Sequence, residues 1–174
     1  ILNDQCPRIA SPLNHYYANR GIPFDNVFGG GAVGATPNDV DDADNAGGNR
    51  LQNFPELTIP GGFLPGGGAS VALQYRVDTA IANASYPITV NFYRGDCGGG
   101  SRALIASDTY GPADAQLVRD FGLEAADGGN VLPLVLTAVD ALGNTSEFGP
   151  MIGDAIFRSD FEDTPAALKP GSCL

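Results

Sequence analysis

Ser70-Val71-Ala72-Leu73-Gln74-Tyr75-Arg76-Val77-Asp78 is the stretch that decides the fold class. Val71, Leu73, Tyr75 and Val77 fall on every second position, with Gln74 and Arg76 between them. Successive side chains of an extended chain point to opposite faces, so a period of two marks a strand with one buried side. Pro87-Ile88-Thr89-Val90-Asn91-Phe92-Tyr93-Arg94 repeats the pattern through Ile88, Val90 and Phe92. Working outward, Arg102–Tyr110 carries Leu104 and Ile105, and Val131–Asp140 carries Leu132, Leu134, Leu136 and Ala138. Leu51–Ile59 reads as the first strand and Ser146–Ile152 as the last. Residues 112–123 read either as a helical turn leading into a strand or as strand throughout. The alternation of Leu117, Arg119 and Phe121 with Val118 and Asp120 favours strand. Asp140–Ser146 is a turn in which Gly143 and Asn144 are expected at positive φ. Short strands at this spacing predict an all-β fold, a β-sandwich.

The composition agrees. The chain has 174 residues, of which 24 are Gly and 13 Pro, heavy punctuation that favours turns and short strands over long helices. A 43% hydrophobic content supports a core. The net charge is −11, and Lys169 is the one lysine, so binding to nucleic acid or to anionic lipid is a poor reading. No apolar run approaches the roughly 20 residues of a membrane-spanning helix. A start at Ile1, without Met or a signal-like apolar segment, is expected of a processed product or an excised fragment. Cys6, Cys97 and Cys173 are too widely spaced for a CxxC metal site, and in an oxidising compartment two of them could pair.

Ahead of the strands lies Thr36-Pro37-Asn38-Asp39-Val40-Asp41-Asp42-Ala43-Asp44-Asn45, with Asn49 and Gln52 following. Asp39, Asp41, Asp42 and Asp44 crowd within six positions. Like charges so close are tolerated if fully solvated or if a cation sits among them. Calcium fits the second case, because it is a hard ion that accepts carboxylates, Asn side chains and carbonyls from an irregular loop. The expected ligands are Asn38, Asp39, Asp41, Asp42, Asp44 and Asn49, with Gln52 as an alternative to Asn49. The spacing differs from that of an EF-hand. Asp140, Asn144 and Glu147 offer a second cation site, or else simply shape their turn.

Other chemistries find little footing. His15 is the sole histidine and has no Gly-x-Ser-x-Gly elbow to serve. Gly29–Gly34 matches GxGxxG, but the Thr-Pro that follows opposes the helix a dinucleotide site needs. Nothing marks two of the twenty acidic residues as a glycosidase pair. Residues 1–35, with Tyr16, Tyr17, Phe24 and Phe28 among three prolines, read as an extended arm packed against its own domain or a neighbour.

Thr36–Asp44 followed by Leu51-Gln52-Asn53-Phe54-Pro55 resembles the segment that closes bacterial secreted right-handed parallel β-helix proteins. Val90–Asp96, Ala106–Tyr110 and Thr137–Phe148 resemble, in the same order, the terminal immunoglobulin-like sandwich of those proteins, and Asp154–Glu162 is similar to their short ending. The resemblance spans about residues 21–162. It implies an immunoglobulin-like β-sandwich with a secreted or cell-surface location, here without the β-helix. The expected organisation is an arm over 1–35, a calcium loop over 36–55, the sandwich over 56–153 and a tail over 154–174. The expected function is a non-catalytic, calcium-stabilised structural module that self-assembles through its arm, as a subunit of an extracellular filament or surface layer. Adhesion to cell-surface glycans or to another protein, through tyrosines such as Tyr16, Tyr17, Tyr75, Tyr86 or Tyr93, is the alternative. An acidic-site hydrolase is a third.

Overall fold

The computed structural model describes residues 2–4, 6–10, 14–16, 23–27, 35–44, 46–58, 68–95 and 102–152. Eight strands are described: β1 (Leu2–Asp4), β2 (Asp25–Val27), β3 (Glu56–Thr58), β4 (Ser70–Arg76), β5 (Ile88–Gly95), β6 (Arg102–Tyr110), β7 (Arg119–Glu124) and β8 (Leu134–Val139). They form two antiparallel sheets, ordered β3-β4-β7 and β6-β5-β8, and a short parallel pair, β1-β2. The chain is all-β among the described residues, with only short 3-10 turns besides.

The alternating residues of the central strands build the core. Leu73, Tyr75 and Val77 from one sheet meet Ile88, Val90, Phe92, Leu134, Leu136 and Ala138 from the other. Tyr75 and Phe92 contact edge to face at 5.7 Å, and Phe92 stacks on Phe121 at 4.8 Å. Such pairs contribute about 0.5–1.5 kcal/mol each beyond the area they bury. The Tyr75 hydroxyl keeps a partner by donating to Asp108, 2.8 Å away.

β8 is buried on both faces. Its second face, with Tyr93 of β5 beside Val135, is covered by Phe24 of the arm and by Phe148. Tyr16 adds edge contacts to Tyr93 at 6.2 Å and to Phe148 at 5.3 Å. The described aromatic residues of the arm therefore pack on the chain's own sheet. Glu147 clamps the same junction: its carboxylate accepts the Asn26 N–H at 2.7 Å and the Thr36 N–H. Burial, together with the adjacent Asp25 carboxyl, holds the Glu147 carboxyl well above the usual carboxylate range.

Two expected strands are altered. The first does not run from Leu51: Asn49, Arg50 and Leu51 are left-handed, and pairing begins at Glu56, after Pro55, which has no N–H to donate. The last is an irregular edge. Ser146, Gly149 and Ile152 donate to Ala138, Leu136 and Leu134, so this segment advances three residues for every two of β8. Such bulging blunts a sheet edge against further pairing. The stretch over 112–123 divides into a 3-10 turn, Pro112–Asp114, and then β7, which leaves Leu117 and Val118 exposed instead of alternating. In the Asp140–Ser146 turn only Gly143 has positive φ; Asn144 acts through its amide instead.

Gly29–Gly34, Tyr17, Phe28, the connection over 61–67, Cys97, Cys173 and the tail lie outside the described residues. Cys6 is exposed, and no disulfide occurs among the described residues. Phe24→Ala should cost about 3–5 kcal/mol, as for other large-to-small core changes. Leu117→Ala, on an exposed turn, should cost under about 0.5 kcal/mol. Urea denaturation of both variants checks the contrast, and equal midpoints would show that the arm carries no stability.

Candidate metal centre

The residues before β3 cross the end of the sandwich where β4 and β8 finish and β5 and β7 begin. Asp41 and Asp42 both have positive φ, +65° and +58°. Asp tolerates this region better than most residues because its short polar side chain bonds locally. The resulting turn brings Asp39, Asp42 and Asp44 together, with one carboxylate oxygen of each within 4.8 Å of the others.

The three carboxylates are held differently. Asp39 Oδ2 accepts the N–H groups of Ala43 and Asp44, at 2.9 and 3.1 Å. Asp42 is buried; its Oδ1 accepts the Asn53 N–H at 2.9 Å, and its Oδ2 accepts from the Gln52 amide at 2.7 Å and the Thr79 hydroxyl at 3.2 Å. Asp39 Oδ1 and Asp44 Oδ1 are enclosed and have no hydrogen-bond donor among the described residues. Burial pushes the Asp42 carboxyl up to about 7. The Asn53 and Thr79 hydrogen bonds oppose the rise, and the Asp39 and Asp44 charges add to it. Burial, then Asp39, pushes the Asp44 carboxyl up to about 6. Two enclosed oxygens without donors, next to a third buried carboxylate, form an arrangement that a hard cation would relieve. Calcium takes roughly six to eight oxygens, so three carboxylates leave positions for carbonyls or water.

The other residues expected as ligands are occupied elsewhere. The Asp41 carboxylate turns away and accepts from the Gln116 amide, while its carbonyl accepts from Ala80 N and the Asn83 amide. Asn38 exchanges two hydrogen bonds with the backbone of Phe54. Asn49 is buried and ties the arm to the β8 turn: its oxygen accepts Ile9 N–H, and its amide donates to the carbonyls of Ile9 and Thr145. Gln52 supports Asp42. Asn53 and Thr79 carry no local signal in the sequence, and Thr79 reaches Asp42 across 37 residues of chain.

Asp140, Asn144 and Glu147 do not converge. Asp140 accepts the N–H groups of Leu142, Asn144 and Ser85 and the Asn144 amide, so it shapes its turn, while Glu147 faces the arm. Among the tyrosines, Tyr75 and Tyr93 are core residues, and Tyr86 stacks on Tyr110. No family model, curated protein or solved structure matches the chain.

The raised carboxyls set a pH dependence whose sign follows from linkage. A carboxyl whose pKa is higher folded than unfolded favours the fold least when it must be ionised. Stability without cation should therefore fall as pH rises from about 4, the unfolded value, to about 7. A bound cation would cancel the part due to Asp42 and Asp44 but not the part due to Glu147. The difference in melting temperature between calcium and chelator should accordingly be large at pH 8 and near zero at pH 4.5. Scanning calorimetry checks this, and a difference independent of pH would separate these carboxyls from any cation.

Proposed function

We propose that this chain is a secreted, non-catalytic β-sandwich module of the immunoglobulin-like kind, stabilised by calcium at Asp39, Asp42 and Asp44. The observation that carries the proposal is the pair of enclosed carboxylate oxygens without donors among the described residues, Asp39 Oδ1 and Asp44 Oδ1, beside buried Asp42. Chemistry of this kind belongs where divalent cations are abundant and free, which favours an extracellular setting. The immunoglobulin-like reading is supported by strand order. In sequence order, β3, β4 and β7 take the places of A, B and E, and β5 and β8 those of C and F. Residues 146–152 run beside β8 as strand G would.

A groove of about 380 Å³ lies next to the loop, and Pro37, Phe54, Pro55, Leu57 and Ile152 help to line it. Its one carboxylate among the described residues, Glu56, is engaged by Arg76 at 2.8 Å, an arrangement unlike the paired acids of a glycosidase. As for self-assembly, the arm's described aromatic residues already pack on their own sheet. The arm would link subunits only by exchanging these same contacts between chains, a domain swap. A calcium-organised end that sets the angle at which the module meets its neighbours is the structural role we assign.

Calorimetric titration with calcium tests the site. Wild type should bind one ion, and Asp44→Asn should weaken binding at least about tenfold, since affinity follows the number of charged ligands. Asp44→Asn should also melt no lower than wild type in chelator, because it removes a repulsive charge. No heat of binding in wild type at neutral pH would refute the proposal.

A further inference from the structure

The large hydrophobic side chains left exposed among the described residues are not scattered. Val40, Ile81, Leu117, Val118 and Leu142, exposed from 44% for Leu142 to 74% for Val40, all lie on segments at the same end of the sandwich. The register requires this. Tyr75 pairs with Arg119, Ile88 with Tyr110, and Thr89 with Val139, so the connections over 77–87, 111–118 and 140–145 emerge together. Hydrogen bonds then join them. Ala80 N donates to the Asp41 carbonyl at 2.9 Å, the Gln116 amide donates to the Asp41 carboxylate, and Ala141 N donates to the Ser85 carbonyl at 2.7 Å. Each bond lies within one or two residues of an exposed hydrophobic side chain. Isolated surface hydrophobics are ordinary, but a concentration of them rimmed by polar groups marks a place where another molecule sits.

The charge around the patch restricts that molecule. Asp41 and Asp120 lie on the loop and strand of this end, and each accepts from a neutral amide, those of Gln116 and Gln74. The two arginines of the adjoining strands are neutralised: Arg76 by Glu56 and Asp78, Arg119 by Asp108 and Asp114. A second copy, at net charge −11, would set acid against acid in any contact through this end. The chain's own residues 153–174 are also acidic, with Asp154, Asp160, Glu162 and Asp163 against Arg158 and Lys169. They follow Ile152, which pairs with Leu134 at the opposite end of β8. Anionic lipid is repelled in the same way.

We propose that this end of the sandwich is a docking surface for a basic protein segment, in which apolar side chains seat on Val40, Ile81, Leu117, Val118 and Leu142 while Lys or Arg residues meet the acidic rim. The surface includes none of the three carboxylates that would hold the cation, although Val40 lies on their loop. The probes are a labelled peptide of alternating Leu and Lys, its Ser/Lys analogue that keeps the charge, and its Leu/Glu analogue that reverses it. Anisotropy at physiological salt should show binding of the Leu/Lys peptide alone. The variant Val40→Ser/Ile81→Ser/Leu117→Ser, with unchanged net charge and a wild-type melting temperature, should weaken that binding at least about tenfold, or about 1.4 kcal/mol. Ala72→Ser, at an exposed position of β4 away from this end, is the control and should bind as wild type does. Equal affinity for the Ser/Lys analogue, or undiminished binding by the triple variant, would reduce the surface to a diffuse acidic field and overturn the proposal. So would dimerisation of wild type, or binding to phosphatidylcholine vesicles, that the triple variant abolishes, since the patch would then belong to a second copy or to a lipid surface.

Discussion

Asn53 donates its amide protons to the carbonyls of Asp39 and Asp78, at 2.8 and 2.7 Å, and accepts the Asp39 N–H on its oxygen. The rest of the structure depends on bonds of this kind. Residues 36–55 are irregular, yet much of this loop lies against the sandwich, where an unpaired peptide group costs about 1–3 kcal/mol. Secondary structure cannot satisfy such a backbone, so side chains must. Asn38, Asn49 and Asn53 do so, each pairing with peptide groups distant in sequence.

This constraint also explains the carboxylates. Once the asparagines have drawn the loop against the sandwich, Asp42 is carried into the interior. Gln52, Asn53 and Thr79 satisfy its oxygens, but they do not remove the proximity of Asp39 and Asp44. The acidic cluster is thus a consequence of how the loop is tied down. The same tying joins the segments that carry Val40, Ile81 and Leu117 at Asp41, so the candidate metal centre and these exposed side chains share one scaffold.

The arm is part of that scaffold too. Through Phe24 and Tyr16 it supplies the second apolar face that β8 requires, and through Asn26 it is fastened to Glu147. Asn49 then links arm, loop and β8 turn in one set of hydrogen bonds. Arm, loop and sandwich are separable as stretches of sequence, whereas in the fold the arm's described residues share a core with β5 and β8, and the loop is hydrogen-bonded to both arm and sandwich.

The sequence by itself determined the central strands. Alternation over Ser70–Asp78 and Pro87–Arg94 is a local property, because a pleated strand beside a core needs apolar residues at a period of two, and β4 and β5 lie where that period places them. It also pointed to Asp39, Asp42 and Asp44, since a run of like charges is visible without a fold. Only the tertiary structure decided which of the crowded residues face one another. Left-handed turns at Asp41 and Asp42 separate neighbouring side chains, and Thr79 and Gln116 arrive from far along the chain. The sequence likewise could not distinguish an asparagine that offers its oxygen to a cation from one that holds a backbone. Asn38 and Asn49 have the composition of ligands and the hydrogen bonds of fasteners, because their partners, Phe54, Ile9 and Thr145, come within reach only in the folded chain.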